Sequence, residues 1–301
     1  MWTMLYIPGS DPRKLRKVAE FQTTTLILDL EDSVADSAKA SARSLVASML
    51  ASYPDRSLWV RVNTSAPELL YDDLHAVVRP GLAGIVLPKV ERAQDVQVAT
   101  WVIGVLEGKV GVEAGSVRII ATIETANGLS ELQAIATSSE RLYCLGFGAG
   151  DFSRDLGLDW LSPASEPVLA AARSALVIAS RRAGLARPHD GAFPRYRDAD
   201  GLRLEAAAAR ALGFGRKHAV HPDQVAVIDE IFAPSEAEIE RAREIIARFE
   251  EQEADGVGSI GAGGEMIDAP VVARARELID TVRSVDQQRA SLPGIARSAE
   301  R

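Results

Sequence analysis

The chain has 301 residues, 47% apolar and 25% charged, with mean hydropathy near zero, an ordinary globular composition that excludes disordered, collagen-like and coiled-coil classes. Its 42 acidic and 34 basic residues leave a net charge of −8, without the clustered cation excess that a nucleic-acid surface requires. One cysteine, Cys144, excludes a disulfide framework and a cysteine-built metal site, and the lack of a basic leader or long apolar run points to a cytoplasmic protein with no membrane association.

Along the first 220 residues, short β-branched runs alternate with amphipathic stretches. The runs are Thr3–Ile7, Thr25–Leu30, Leu58–Val62, Gly84–Pro88, Val117–Ile123, Arg141–Leu145, a weaker one over Ala186–Gly191, and His218–Val220. Most are continuously apolar, as strands buried on both faces read. Helical patterns such as Pro12–Phe21, Ser37–Ala51 and Ser165–Ala183 lie between them. Eight strand–helix units with no dinucleotide fingerprint after the first strand predict a (β/α)8 TIM barrel rather than an open doubly wound sheet.

Beyond His221-Pro222 the pattern changes. A helix over Gln224–Ile231 leads to a long charged one, Ser235–Glu253, opened by a Ser235/Glu238 capping box. Residues 255–264 are glycine-rich and read as a hinge unable to form strand or helix interior. A last helix starts near Pro270, and the final dozen residues read as frayed. The expected division is therefore a barrel over 1–232 and a C-terminal helical lid over 233–301.

Barrel chemistry sits at the carboxyl ends of the strands. There the sequence delivers Asp29, Glu31 and Asp32 after strand two, Arg61 after strand three, Lys89 after strand four, Glu124 after strand five, Asp151 after Gly148-Ala149-Gly150, Asp190 after His189, and His221. Glu124 and Asp151 end neighbouring strands, and two carboxylates without cysteine or paired histidine suit Mg2+, which keeps water in its other positions. Solvated loop acids are the plainer alternative. Arg61 in an apolar run needs an anion, either a substrate carboxylate or enolate, or Glu31 or Asp32 internally. The acids of 29–32 cannot all reach one ion, because alternate strand residues face opposite ways, so they read as support for Arg61 and the metal waters, with Lys89 as their ion-pair partner. The Gly146–Gly150 run lacks a Walker lysine and reads as a tight turn presenting Asp151 rather than a nucleotide loop. His221 reads as a structural hydrogen-bonding group and Cys144 as core.

The segments Tyr6-Ile-Pro-Gly-Ser10, Leu28-Asp-Leu-Glu-Asp-Ser-Val34, Val60-Arg-Val-Asn63, Val86-Leu-Pro-Lys-Val-Glu91, Ala121-Thr-Ile-Glu-Thr-Ala126, Gly148-Ala-Gly-Asp151, Ala219-Val-His-Pro-Asp-Gln224 and Met266-Ile-Asp-Ala-Pro270, in this order, resemble the citrate lyase β-subunit-like family, which includes malyl-CoA and citramalyl-CoA lyases. The resemblance implies a barrel with a lid, Mg2+ on Glu124 and Asp151, a substrate-binding Arg61, and a homotrimer in which the lid, exchanged between protomers, brings Asp268 to a neighbour's site as acid/base. Taken on its own spacing, Asp268 reads as the N-cap of the last helix. Related pyruvate aldolases carry a histidine where this chain has Asp32, which argues against that branch. Arg216-Lys217-His218 and His189 depart from the lyase pattern, in loops expected near the acyl-CoA. The expected activity is Mg2+-dependent cleavage of a short 3-hydroxyacyl-CoA to acetyl-CoA and a 2-oxo acid. A β-subunit acting on a carrier-bound citryl thioester and a non-catalytic acyl-CoA-binding barrel are the alternatives.

Overall fold

Consecutive parallel strands need a crossover long enough to hold a helix, and the spacing of the first 220 residues supplies one each time. The computed structural model describes residues 2–21, 23, 25–53, 56–253, 259–262 and 265–290. The chain divides into two compact units, one over Trp2–Phe232 and one from Ala233 onward. In the first, β1 (Thr3–Pro8), β2 (Thr25–Asp29), β3 (Ser57–Arg61), β4 (Leu82–Leu87), β5 (Arg118–Ile123), β6 (Leu142–Phe147), β7 (His189–Asp190) and β8 (Arg216–Ala219) close into a parallel barrel in chain order. β8 completes it against β1, with Thr3 opposite Lys217 and Leu5 opposite Ala219. The architecture is a (β/α)8 barrel.

Alternation sorts each strand between two apolar layers. Met4, Ile27, Trp59, Val86, Ile120 and Cys144 fill the barrel interior. Their neighbours, such as Leu5, Leu26, Leu58 and Ile119, face a larger core under the surrounding helices. Gly84 makes the interior possible: a Cβ there would collide with the Trp59 ring at Cζ3 and Cε3, so only glycine leaves space for the indole. The helices are α1 (Pro12–Arg16), α2 (Lys39–Leu50), α3 (Pro67–Val77), α4 (Ala93–Val110), α5 (Ala126–Ser130), α6 (Leu132–Ala136), α7 (Ala149–Leu156), α8 (Glu166–Arg182), α9 (Ala199–Leu212) and α10 (Asp223–Phe232).

The last two barrel strands differ from the sequence expectation. β7 is two residues long, because Pro188 has no N–H for the ladder. β8 starts two residues early, at Arg216. Its polar residues belong there because Lys217, fully buried, donates to Asp190 Oδ2 at 2.5 Å, Glu205 Oε1 at 2.6 Å and the Gly191 carbonyl at 2.8 Å. Arg173 Nε completes the cluster, 2.9 Å from Asp190 Oδ1. Strand closure here is made largely by buried, paired charge.

The second unit contains α11 (Glu236–Glu253), α12 (Ala269–Ala290) and a hairpin of β9 (Ser259–Ala262) and β10 (Glu265–Asp268). The capping box forms as its spacing predicts: Glu238 N–H donates to Ser235 Oγ at 3.2 Å, and Ser235 N–H to Glu238 Oε2 at 2.7 Å. Phe249, Ile267 and Val272 form a small core of their own. The expectation that residues 255–264 could form no strand needs correction, since β9 lies inside them. Ile260, between Ser259 and Gly261, pairs with Ile267, and ladder hydrogen bonds stabilise a strand that propensity disfavours. Residues 255–258 and 263–264 of that segment, and the terminus from 291 on, lie outside the described residues. Among the described residues no helix is long and apolar enough to cross a membrane.

Candidate active site

Register builds the centre of the site. β2 and β3 pair with Asp29 opposite Arg61, so both side chains enter the carboxyl-end mouth of the barrel side by side. Arg61 Nε and Nη2 donate to Asp29 Oδ1 and Oδ2, each at 2.7 Å, a bidentate fork. Arg61 Nη1 lies 2.9 Å from Glu31 Oε2 and 3.3 Å from Asp32 Oδ2, and the guanidinium stacks 4.9 Å from the centre of the Tyr6 ring. The internal partner is thus chiefly Asp29 rather than Glu31 or Asp32. Three of the five guanidinium hydrogens are in hydrogen bonds, two to Asp29 and one to Asp32, while Glu31 Oε2 makes an ion pair without a hydrogen bond, which leaves one hydrogen on Nη1 and one on Nη2. Burial works against the Asp29 charge, but the bonds from Arg61, Ser33 and Glu31 outweigh it and hold the carboxyl below its usual range.

The loop after β2 is fastened from below. Lys39, at the start of α2, donates to the carbonyls of Leu30, Glu31 and Val34 at 3.1, 3.1 and 3.2 Å, matching three ammonium hydrogens to three acceptors. Glu31 is thereby placed between Arg61 and Lys89, whose Nζ donates to Glu31 Oε1 and lies 3.6 Å from Asp32. Burial raises the Glu31 pKa despite both cations. Lys89 is the one non-glycine residue with positive φ, at 51°, among the described residues. That strained backbone aims its N–H at Glu124 Oε1, 2.7 Å away.

Glu124 is buried, and burial, then the charge of Asp151, then that of Glu31, push its pKa up to about 8. The Gly148 Cα–H side faces it: a Cβ would lie 2.7 Å from Glu124 Cβ, so this glycine admits the carboxylate. The reading of 146–150 as a turn is corrected accordingly, since α7 begins at Ala149 and Asp151 stands in its first turn. Asp155, one turn on, accepts from the Ala126 N–H at 2.8 Å and ties α7 to the segment after Glu124. Asp151 Oδ1 lies 2.7 Å from Arg154 Nη2. Two carboxylates, one starved of positive charge, are hard oxygen donors that fit a divalent cation. No group of three or more His, Cys, Asp or Glu residues is arranged to hold a metal among the described residues, so such an ion would take its other ligands from water or substrate.

Arg61, Asp29, Asp32, Glu124 and Asp151 line one cavity of about 1110 Å3. His218 lines it too, not from a loop but from within β8, and His189 lies beside it in β7, ring centroids 5.6 Å apart. Burial drives the His218 pKa down to about 3 and holds His189 well below its usual value, so both are neutral. His221 sits at the cavity edge, stacked 4.8 Å from Tyr196 and accepting from the Asp223 N–H at 3.2 Å. Asp190 needs correction: it is consumed by Arg173 and Lys217, is fully buried and does not line the cavity. Asp268 ends β10 and caps α12, its Oδ1 accepting from Val271 N–H at 3.3 Å. Sequence reasoning missed Tyr6, Lys39 and Arg154. Inward alternation from Met4 would have found Tyr6, whereas nothing local marks the other two.

Fold and strand-end chemistry define a barrel with its charged groups gathered at one mouth, and comparison with known proteins gives the class, a carbon–carbon lyase. The family model described as HpcH/HpaI aldolase/citrate lyase matches residues 2–222, and the chain belongs to that family. It is 35% identical over 284 residues, 94% of this chain and 97% of the relative, to the citrate lyase subunit beta of Haemophilus influenzae. It is 31% identical over 300 residues (91% and 92%) to the L-malyl-CoA/beta-methylmalyl-CoA lyase of Rhodobacter capsulatus, and 33% identical over 291 residues (96% and 97%) to a (3S)-malyl-CoA thioesterase of Cereibacter sphaeroides. Among solved structures it is similar to the CitE protein of Mycobacterium tuberculosis in complex with magnesium, acetoacetate and coenzyme A, with TM-score 0.76, 26% identity, and 94% of this chain and 98% of that one covered.

Proposed function

We propose that the protein cleaves a short 3-hydroxyacyl-CoA with a distal carboxylate, malyl-CoA or citramalyl-CoA, to acetyl-CoA and a 2-oxo acid, with Mg2+ held by Glu124 and Asp151. The observation that carries this reading is one cavity lined by an acid pair short of positive charge and by an arginine with a spare donor. A bound cation supplies Lewis acidity to the hydroxyl oxygen that becomes the keto group. Asp29, with Glu31 and Asp32, fixes the plane of Arg61. Its remaining Nη2 hydrogen then meets the thioester oxygen, where negative charge develops as the carbon–carbon bond breaks. The substrate hydroxyl gives its proton to water as the carbon–carbon bond breaks, and Asp268 of a neighbouring protomer, in its acid form, protonates the enolate carbon, in a cytoplasmic homotrimer whose second units are exchanged. Relatives solved with magnesium and coenzyme A, and lyases that match nearly the whole chain, support this reading.

The test offers malyl-CoA and citramalyl-CoA to the full chain with Mg2+ and with EDTA, and separates the products by mass. Metal-dependent acetyl-CoA with glyoxylate or pyruvate is expected. Free CoA with the intact hydroxy acid would instead place this chain with the thioesterase relative. Turnover restricted to a carrier-bound citryl group would favour the citrate lyase subunit reading, which the Haemophilus relative supports. Lid exchange is tested by mixing Glu124→Gln and Asp268→Asn proteins: two inactive chains regain activity together only if the two residues act across protomers.

A further inference from the structure

Asp151 already has a cation. Arg154 follows it at i+3 on α7, and the two side chains meet at 2.7 Å on the wall of the cavity that Glu124 also lines. The Arg154 side chain is 74% exposed against 24% for Asp151, and Asp151 is its one ion-pair partner among the described residues. The other acid within reach on this helix, Asp155, is turned away to the Ala126 N–H. A guanidinium does not lose its proton at any working pH, so it leaves Asp151 only by being displaced.

We propose that Arg154 is a stand-in cation for Asp151, which a divalent ion must displace, and that it thereby sets the affinity of the site for metal. The proposal rests on the reading of Glu124 and Asp151 as the metal ligands. It assigns Arg154 a positioning role in the metal-free protein, holding the Asp151 carboxylate near Glu124 against their mutual repulsion. The exposed arm swings into water at little cost when the ion arrives. An exposed pair of this kind is weak, so the barrier it adds to metal binding is modest. The effect is accordingly on affinity rather than on the ability to bind.

The test is calorimetric titration of metal-stripped full-length protein with Mn2+ and with Mg2+ at low ionic strength. Arg154→Ala and Arg154→Gln are expected to bind about fivefold more tightly than the parent, a change of about 1 kcal/mol at 1.4 kcal/mol per tenfold. Arg154→Lys, which keeps the charge, is expected to remain near the parent. The gain shrinks toward unity in molar salt, where screening removes the competitor's advantage. Asp151→Asn separates the two layers of the argument. If the parent binds and Asp151→Asn does not, the ligand reading stands, and unchanged or weaker binding by Arg154→Ala then overturns the stand-in role alone. If the parent binds neither ion, or Asp151→Asn binds as the parent does, both readings fall. Arg154 is a surface residue, so its variants keep the parent's melting temperature within a few degrees, a control for unfolding.

Discussion

Asp29→Asn is nearly isosteric, yet the geometry predicts a large loss. Oδ1 accepts from Arg61 Nε at 2.7 Å and Glu31 N at 3.0 Å; Oδ2 accepts from Arg61 Nη2 at 2.7 Å and Ser33 N at 3.1 Å. Whichever way the asparagine amide is turned, its NH2 faces two donors. One charge-assisted bond and one backbone bond are lost, about 1.5–3 and about 1 kcal/mol, and two buried N–H groups are left facing another donor. The two lost bonds sum to about 2.5–4 kcal/mol, and the mismatched donors bring the total into the range of about 3–5 kcal/mol for breaking a buried pair from one side. For a domain of this size that lowers the melting temperature by roughly 10 °C. The Asp32→Asn control, half-exposed and 3.3 Å from Arg61, is expected to cost under about 1 kcal/mol. Because the folded pKa of Asp29 is depressed, its stabilisation is complete above the unfolded value of about 4 and fades as pH falls through the folded one. Urea unfolding at pH 7.5 and pH 3.5, just under the unfolded value, therefore reads the deficit and the start of its decline. A deficit below about 1 kcal/mol at pH 7.5, or one that does not shrink in acid, would refute the fork as the organiser of this site.

Gly148→Ala places a methyl against Glu124 and is expected to weaken divalent binding at least about tenfold by calorimetry, with an overpacking cost of about 1–3 kcal/mol in a thermal melt. Lys39→Met leaves the Leu30, Glu31 and Val34 carbonyls without their donor and should cost about 3 kcal/mol in urea unfolding, with the KM for the acyl-CoA raised as the acidic loop loosens. His189 and His218 are held neutral in the fold. The unfolded chain therefore takes up protons below about pH 6.5 that the folded one refuses, and stability falls by up to about 1.4 kcal/mol per pH unit for each. His218→Phe should flatten the slope of unfolding free energy between pH 6.5 and 5, and an unchanged slope would count against a buried neutral His218.

The barrel was legible because a strand buried on both faces must be a nearly unbroken apolar run, and six of the eight were. β7 and β8 (Arg216-Lys-His-Ala219) were not. β7 was weak in sequence for the reason it is weak in structure: Pro188 and Asp190 leave little to pair, and Lys217 and Arg173 close the gap with charge. β9 was hidden by glycines, although the Gly263-Gly264 dipeptide between Ile260 and Ile267 is itself a hairpin signal. Among candidate site residues, those that end strands could be named from position alone. Their partners could not, because pairing depends on register. Asp29 opposite Arg61 is one residue's slip away from a different ion pair. Asp190 shows the converse error, a strand-end acid whose side chain is claimed on the helix side of the sheet.

Charge balance joins these observations. At the mouth, Asp29, Glu31, Asp32 and Asp151 are in ion-pair contact with Arg61, Lys89 and Arg154, while Glu124 meets only a backbone N–H. Lys14, Lys17 and Glu20 line the same cavity, so with Glu31 and Lys89 the mouth carries six carboxylates and five cations. The local imbalance lies at Glu124 and Asp151, which have Arg154 as their one ion-pair partner among the described residues, and burial beside Asp151 pushes the Glu124 pKa up to about 8. A divalent ion held there, as proposed, would meet the carboxylate with no ion pair and the one whose arginine is most exposed. It would release the Glu124 proton and move Arg154, without disturbing the Arg61 fork. The arginine that would meet the developing enolate is therefore already in place before metal binds, while the groups that would hold the metal are the ones left adjustable.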